Sequence, residues 1–233
     1  MIRHAVILAA GRGQRLRPLT DRLPKPLVQV RGRALIDWRL QALADAGIEQ
    51  VVINLAWLGE QIRTAVGNGD RWGLRIRYSD EGDSALETGG GLARARALLP
   101  ADQPFVVCNA DVWSDYSLRA LVERPWADGQ LAHLVLVPPP AGMRGDFALA
   151  GDRVVDRPRL TFSGISLIHP ELVEPRGQTA FALAPRLREA MAQQRVTGEC
   201  YHGVWSDIGT PERLAAANGE GARAEEPASG LGR

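Results

Sequence analysis

A short apolar run ending in two glycines, Val6-Ile7-Leu8-Ala9-Ala10-Gly11-Arg12-Gly13, limits the possible folds of this chain more than any other stretch. The run reads as a buried strand, and the glycines release the backbone into a tight loop at its carboxyl end. In an open α/β sheet that end is where ligands bind. Ala10, Gly11 and Gly13 are therefore candidate nucleotide-binding residues, because backbone N–H groups there can come close to an anion. Two candidate catalytic cations follow. Arg15 offers a planar fork for paired phosphate oxygens, and Lys25, held between Pro24 and Pro26, offers a compact charge. Lys25 is the only lysine among 28 basic residues, which argues that a point charge is wanted there. Glycines after a first strand are also ordinary turn material, so this loop alone does not decide between a phosphate site and a plain turn.

Beyond this loop, strand and helix patterns alternate. Strands are expected at Ala5–Ala9, Val51–Ile53, Leu74–Tyr78, Phe105–Cys108 and Leu131–Val137. Helices are expected at Ala34–Ala46, Leu58–Val66, Leu92–Leu99 and Leu183–Met191. The fold class implied is α/β: a Rossmann-like mixed, mostly parallel sheet flanked by helices. Short strands and turns between about 138 and 170 read as a small antiparallel lid or edge sheet. One domain spans 1–217, and the polar segment 218–233 reads as a disordered tail. A net charge of +1 gives no overall attraction to nucleic acid or anionic membrane. No apolar run is long enough to span a bilayer, the start has no signal-peptide core, and Cys108 and Cys200 lack metal or scaffold spacing. A cytoplasmic protein with reduced thiols is expected.

Three further stretches carry candidate chemistry. Glu81 to Gly91 is glycine-rich and reads as a flexible segment whose backbone groups face a base. Glu81, Glu87, Thr88 and Gly89 are its nucleotide-binding candidates, with a plain loop and helix cap as the alternative. Asn109-Ala110-Asp111 follows a buried strand, where Asn109 would meet a nucleotide and Asp111 a metal, or Asp111 would only cap a helix. Arg144, Gly145, Asp156, Ser163 and Gly164 set polar side chains beside glycines, which suits a sugar or an ordinary hairpin.

Arg15, Pro18-Leu19-Thr20 and Lys25-Pro26, together with Trp205-Ser206-Asp207-Ile208-Gly209-Thr210-Pro211, resemble the signatures of the sugar-1-phosphate nucleotidyltransferases. The resemblance covers residues 1 to about 217. It implies that Asp111 and Asp207 bind a catalytic Mg²⁺, that the substrates are UTP and a sugar-1-phosphate, and that pyrophosphate is released. Ala110 stands where that family usually has glycine. The short length and the stretches at 87–91, 144–147 and 160–165 resemble the small uridylyltransferases of bacterial cell-wall recycling, implying a muramyl sugar phosphate. Arg144 is then the expected partner of its lactyl carboxylate. Small relatives acting on glucose-1-phosphate, mannose-1-phosphate or phosphocholine are the alternative, as is a non-catalytic nucleotide-sugar-binding regulator. A dinucleotide-binding oxidoreductase is excluded at Leu16, where its pattern needs a third glycine.

Overall fold

The computed structural model describes residues 2–82 and 86–219. The chain opens with β1 (His4–Leu8), a run of short 3₁₀ turns, and the ribbon β2 (Gln29–Val30) and β3 (Arg33–Ala34). Next come α1 (Leu35–Asp45), β4 (Gln50–Leu55), α2 (Gly59–Val66), β5 (Arg75–Asp80) and α3 (Glu87–Arg96). The second half holds β6 (Phe105–Asn109), β7 (Val112–Ser114), α4 (Leu118–Val122), β8 (Ala132–Val137), β9 (Phe147–Ala150) and β10 (Arg153–Ile168). It ends with α5 (Leu183–Ala192), β11 (Val196–Cys200), β12 (Trp205–Asp207) and α6 (Pro211–Asn218).

The main sheet runs β11-β8-β10-β6-β1-β4-β5, with β9 paired to β10. β6, β1, β4 and β5 are mutually parallel; β10 enters antiparallel between β6 and β8, and β11 lies parallel to β8. After β1 the chain steps to β4 and β5, then returns to place β6 on the other side of β1. That reversal creates a crevice between the carboxyl ends of β1 and β6, the usual ligand position in such sheets.

Both faces of the sheet are covered, which explains the continuous apolar strands. Ala5, Ile7, Val51 and Ile53 face α1, α2 and α4 through Leu40, Ile62 and Leu121. Val6 and Val52 point the other way, toward Leu92 of α3 and Leu187 of α5. Among the described residues no helix is long and apolar enough to cross a membrane. Cys108 and Cys200 are both free thiols.

Three expectations change. The antiparallel part is not a separate lid: the second half of β10 is a central strand, and its first half pairs with β9 and, at Arg153, with β11 in the same sheet. The small antiparallel sheets are instead β2–β3 and β7–β12. α3 begins at Glu87 rather than Leu92, so its three glycines lie inside a helix. A Cβ on Gly89 would sit 2.5 Å from the Phe181 ring, and one on Gly90 2.4 Å from the Thr179 carbonyl. Gly89 and Gly90 allow close packing against residues 179–181, and Gly91 a close approach to Glu81, whose Oε1 would lie 2.5 Å from an added Cβ. Residues 218 and 219 also belong to the folded part: Asn218 ends α6, and its side chain accepts a hydrogen bond from the Arg31 N–H at 2.6 Å. The rest of the expected tail lies outside the described residues.

Candidate active site

The loop after β1 is built from local rules. Gly13 has φ +65°, a conformation that side chains with a Cβ rarely adopt, and it opens a short 3₁₀ turn. Thr20 is buried and donates its hydroxyl to the Gly13 carbonyl at 2.8 Å, so Pro18-Leu19-Thr20 closes the loop on itself. Asn54, at the end of β4, accepts from the Ala9 N–H at 2.6 Å and donates to Glu81 Oε1 at 2.6 Å. Burial pushes the Glu81 carboxyl pKa up, while the Asn54 bond acts against that rise. One amide side chain thus ties the ends of β1 and β5 to the same crevice.

Lys25 is 7% exposed, unusually low for a lysine, and its burial is matched by charge. Its Nζ lies 2.5 Å from Asp111 Oδ2 and 4.0 Å from Asp207 Oδ1. The two acids are 96 positions apart in sequence (207 less 111), yet the ribbon β7–β12 sets them side by side. Asp207 pairs in register with Val112, and the Ile208 N–H donates to the Asp111 carbonyl at 3.0 Å. Arg39 of α1 supports the same turn from beneath. Its guanidinium is buried and donates to the Val112 carbonyl from Nε at 3.2 Å and from Nη2 at 2.9 Å. Burial pushes its pKa down, against the opposing influence of Cys108 and Asp111.

Asp207 also meets two arginines. Arg213 Nη1 donates to its Oδ2 at 2.8 Å, and Arg15 Nη2 stands 3.9 Å from the same oxygen. The motif around it has a physical basis. A Cβ on Gly209 would lie 2.8 Å from both Arg15 Nη2 and Asp207 Oδ1. Thr210 caps α6 by accepting from the Arg213 N–H, with Pro211 at the first helical position, and this start brings Arg213 back toward the acid.

Asp207 Oδ1 is buried and accepts no hydrogen bond from a described residue. Burying a carboxylate oxygen without a partner is costly, so an unpartnered one facing a lysine and a second carboxylate marks a place for a ligand. Two carboxylates fit a hard divalent cation that keeps waters and takes substrate phosphates for its other positions. No cluster of three or more metal-ligating side chains occurs among the described residues, so a cation bound here would have only these two carboxylates as side-chain ligands from them.

Asp111 and Lys25 line a cavity of about 980 Å³, whereas Asp207 is off its wall, behind Lys25. Of the residues picked from the sequence, Ala10, Gly11, Lys25, Glu81, Glu87, Thr88, Asn109 and Asp111 all line it. Gly13 and Arg15 do not; Gly13 shapes the loop, and Arg15 reaches only the Asp207 side. Gly89 does not line it either. The N–H groups of Gly89 and Gly90 both donate to the Phe181 carbonyl, so the amides expected to face a base are already used.

The expected sugar residues are elsewhere. Arg144 is exposed and off the cavity wall, and Gly145 lies against the backbone of Arg159 and Leu160. Ser163 is buried and accepts from the Ile165 N–H at 3.2 Å. Gly164, at φ +79°, lets β10 pass Asn109, whose amide nitrogen would be 2.6 Å from an added Cβ. Asp156 reaches the cavity only indirectly, through Arg188. The wall on this side is instead Asp146, Phe147 and Phe162, with Leu183, Ala184, Leu187 and Arg188 of α5. Arg12, Arg39, Arg188 and Arg213 are the charged residues that sequence reasoning passed over. Only Arg12, beside the glycines, carried a sequence signal.

Comparison with known proteins agrees with this geometry. The nucleotidyl transferase family matches residues 4–143. The chain is 46% identical over 223 residues to the N-acetylmuramate α-1-phosphate uridylyltransferase of Neisseria meningitidis, covering 91% of this chain and 96% of that one. It is 34% identical to the enzyme of the same name from Caulobacter vibrioides, covering 91% and 94%. Among solved structures, UDP-glucose pyrophosphorylase complexed with UDP-glucose superposes with a TM-score of 0.73 at 17% identity, over 94% of this chain and 98% of that one. A Bacillus anthracis protein described as a glucose-1-phosphate thymidylyltransferase, in complex with sucrose, gives 0.82 at 19% identity over 96% and 97%. Those two likenesses are of fold. On the family match and the two sequence relatives, with the site at the sheet's crevice as its structural counterpart, the chain belongs to the nucleotidyl transferase family.

Proposed function

We propose that this enzyme transfers UMP from UTP to N-acetylmuramate α-1-phosphate, giving UDP-N-acetylmuramate and pyrophosphate, and that it requires Mg²⁺. The carrying observation is the meeting of Asp111 and Asp207 at one buried lysine, which with Asp111 lines a cavity large enough for a nucleotide and a sugar. The two sequence relatives supply the substrate names, since both are called N-acetylmuramate α-1-phosphate uridylyltransferase.

In the reaction a sugar-phosphate oxygen bonds to the α-phosphorus of UTP, and the bond from that phosphorus to the bridging oxygen breaks, releasing pyrophosphate. The attacking phosphate has a second pKa near 6, so at neutral pH it is largely dianionic and needs no general base. What remains is to hold two anions together. Lys25 and Arg12 line the cavity and offset charge on the phosphates, and the exposed N–H groups near Gly11 add fixed dipoles. Asp111 and Asp207 would hold Mg²⁺, which when bound supplies positive charge on the phosphate oxygens. Glu81, Glu87 and Thr88 form the wall offered to the base.

A choline head group fits less well. Of the three aromatic residues on the wall, Trp57 already carries the Arg12 guanidinium at 4.3 Å, and Phe147 that of Arg188 at 5.8 Å. A pyrophosphate-release assay crossing UTP, CTP, ATP and GTP with a panel of sugar-1-phosphates tests the reading. UTP with N-acetylmuramate α-1-phosphate should be the best pair, and chelation of Mg²⁺ should abolish turnover. A better pair, or turnover that survives chelation, would overturn it.

A further inference from the structure

We propose that Arg188 reads the carboxylate of the sugar substrate and so selects a sugar acid over a neutral sugar. This deepens the function proposed above and rests on it. Arg12, Lys25 and Arg188 are the basic side chains among the described lining residues of the cavity. The first two stand at the nucleotide end. Arg12 belongs to the loop after β1 and covers Trp57, and Lys25 is held by the two acids. Arg188 lines the cavity from α5, beside Phe147.

Its geometry suits a second carboxylate. Asp156 accepts from Arg188 Nε at 3.1 Å, and no described residue accepts a hydrogen bond from Nη1 or Nη2. A guanidinium anchored at Nε and stacked near a ring presents its outer nitrogens in one orientation, which matches the paired oxygens of a carboxylate. The side chain is 46% exposed, so it is open to a ligand without being a core element. Asp146 lies on the same wall, fixed by accepting from the Phe162 N–H at 2.9 Å. One acid and one cation facing a sugar is a sensible division: the acid accepts from hydroxyls, and the cation takes the acidic substituent.

The test compares two substrates that differ by the lactyl ether. N-acetylmuramate α-1-phosphate carries the carboxylate, and N-acetylglucosamine-1-phosphate lacks it. Arg188→Met keeps the aliphatic stem and removes the charge. The ratio of kcat/KM for the muramyl over the glucosaminyl substrate should fall at least about tenfold, mostly through KM, as expected for losing a charge-assisted hydrogen bond. Arg188→Lys should restore part of the ratio. In the wild-type enzyme, converting the lactyl carboxylate to its amide should cost about as much as the Met variant does, and combining the two changes should cost little more. A wild-type preference that survives Arg188→Met overturns the assignment alone. A wild-type enzyme without preference for the muramyl substrate overturns the proposed substrate, and this assignment with it.

Discussion

The two ends of the cavity are built in different ways. At the end proposed for the nucleotide, side chains project from strand ends and from the loops directly after them, so Ala10, Gly11, Asn109 and Asp111 fall in place by following β1 and β6. Away from that end the wall comes from β9 and the residue before it, from β10 and from α5; none of the five residues picked singly for the sugar lies on it, although Asp146, Phe147 and Phe162 fall in stretches the sequence marked. A loop at a parallel strand's carboxyl end can face only the crevice. A residue within a long bent strand can face either side.

The largest expected effects lie at the first end. Lys25→Ala and Asp111→Ala should each lower turnover by about 10²–10³ while leaving the circular dichroism spectrum intact, as expected when one well-placed charge is removed from a phosphoryl-transfer site. Lys25→Arg should not rescue, because the side chain is buried with Nζ already 2.5 Å from Asp111, a place for a point charge rather than a broad guanidinium. Recovery of activity in the arginine variant would show that charge alone suffices there.

Next in size is the packing of α3, which joins the two ends. Gly90→Ala should destabilise the protein by about 1–3 kcal/mol, because its Cβ would meet the Thr179 carbonyl at 2.4 Å and backbone cannot move aside cheaply. Thermal denaturation measures this. An unchanged melting temperature would mean that residues 179–181 are free to shift, and the wall they support would then be softer than described.

A smaller effect concerns pH. Glu199 lies near His133 (3.7 Å), accepts from the Tyr116 hydroxyl, and is bonded by Arg124 at 2.7 Å; these neighbours hold its carboxyl down to about 2 despite partial burial. A lowered folded-state pKa contributes stability above the ordinary glutamate value of about 4.3, and that stability is lost as pH falls toward 2. Discounted for solvent screening, this amounts to roughly 1–2 kcal/mol. Glu199→Gln should flatten the acid limb of a stability–pH curve between about pH 4.5 and 2. An unchanged limb would remove Glu199 from the account. The smallest change is expected for Arg15→Ala. Its side chain is 63% exposed and 3.9 Å from Asp207, so a loss of about tenfold or less is anticipated, against the larger loss at Lys25. Equal losses would place Arg15 on the reacting phosphates.

This contrast also explains what was legible in the sequence. Apolar runs marked β1, β4, β5, β6 and β8 and the helices α1, α2 and α5 to within a few residues, because strands buried on both faces and helices with one buried face leave plain patterns. They did not mark β10 as a central strand, nor β11, α4 or α6. The glycines of α3 misled because glycine signals both freedom and close approach, and only the contacts at Phe181 and Thr179 tell which. The residues picked for the sugar fall on β10 and in the turn before β9. β10 shifts register between Val155 and Leu160 and again between Phe162 and Ile165. Successive residues of a strand face opposite sides, so Phe162 lines the cavity and Ser163 does not, while the irregularity sets Gly164 against Asn109. Arg39 and Arg213 had no sequence signal, since both act through partners far along the chain or across a helix start.

The central claim is that two acids distant in sequence act as one site. A double-mutant cycle on Asp111→Asn and Asp207→Asn, read both as turnover and as Mg²⁺ affinity by calorimetry with a non-hydrolysable UTP analogue, tests it most directly. The double variant should be little worse than either single one in both readouts. Losses that simply add would mean that the two carboxylates work independently, and the shared site would be wrong.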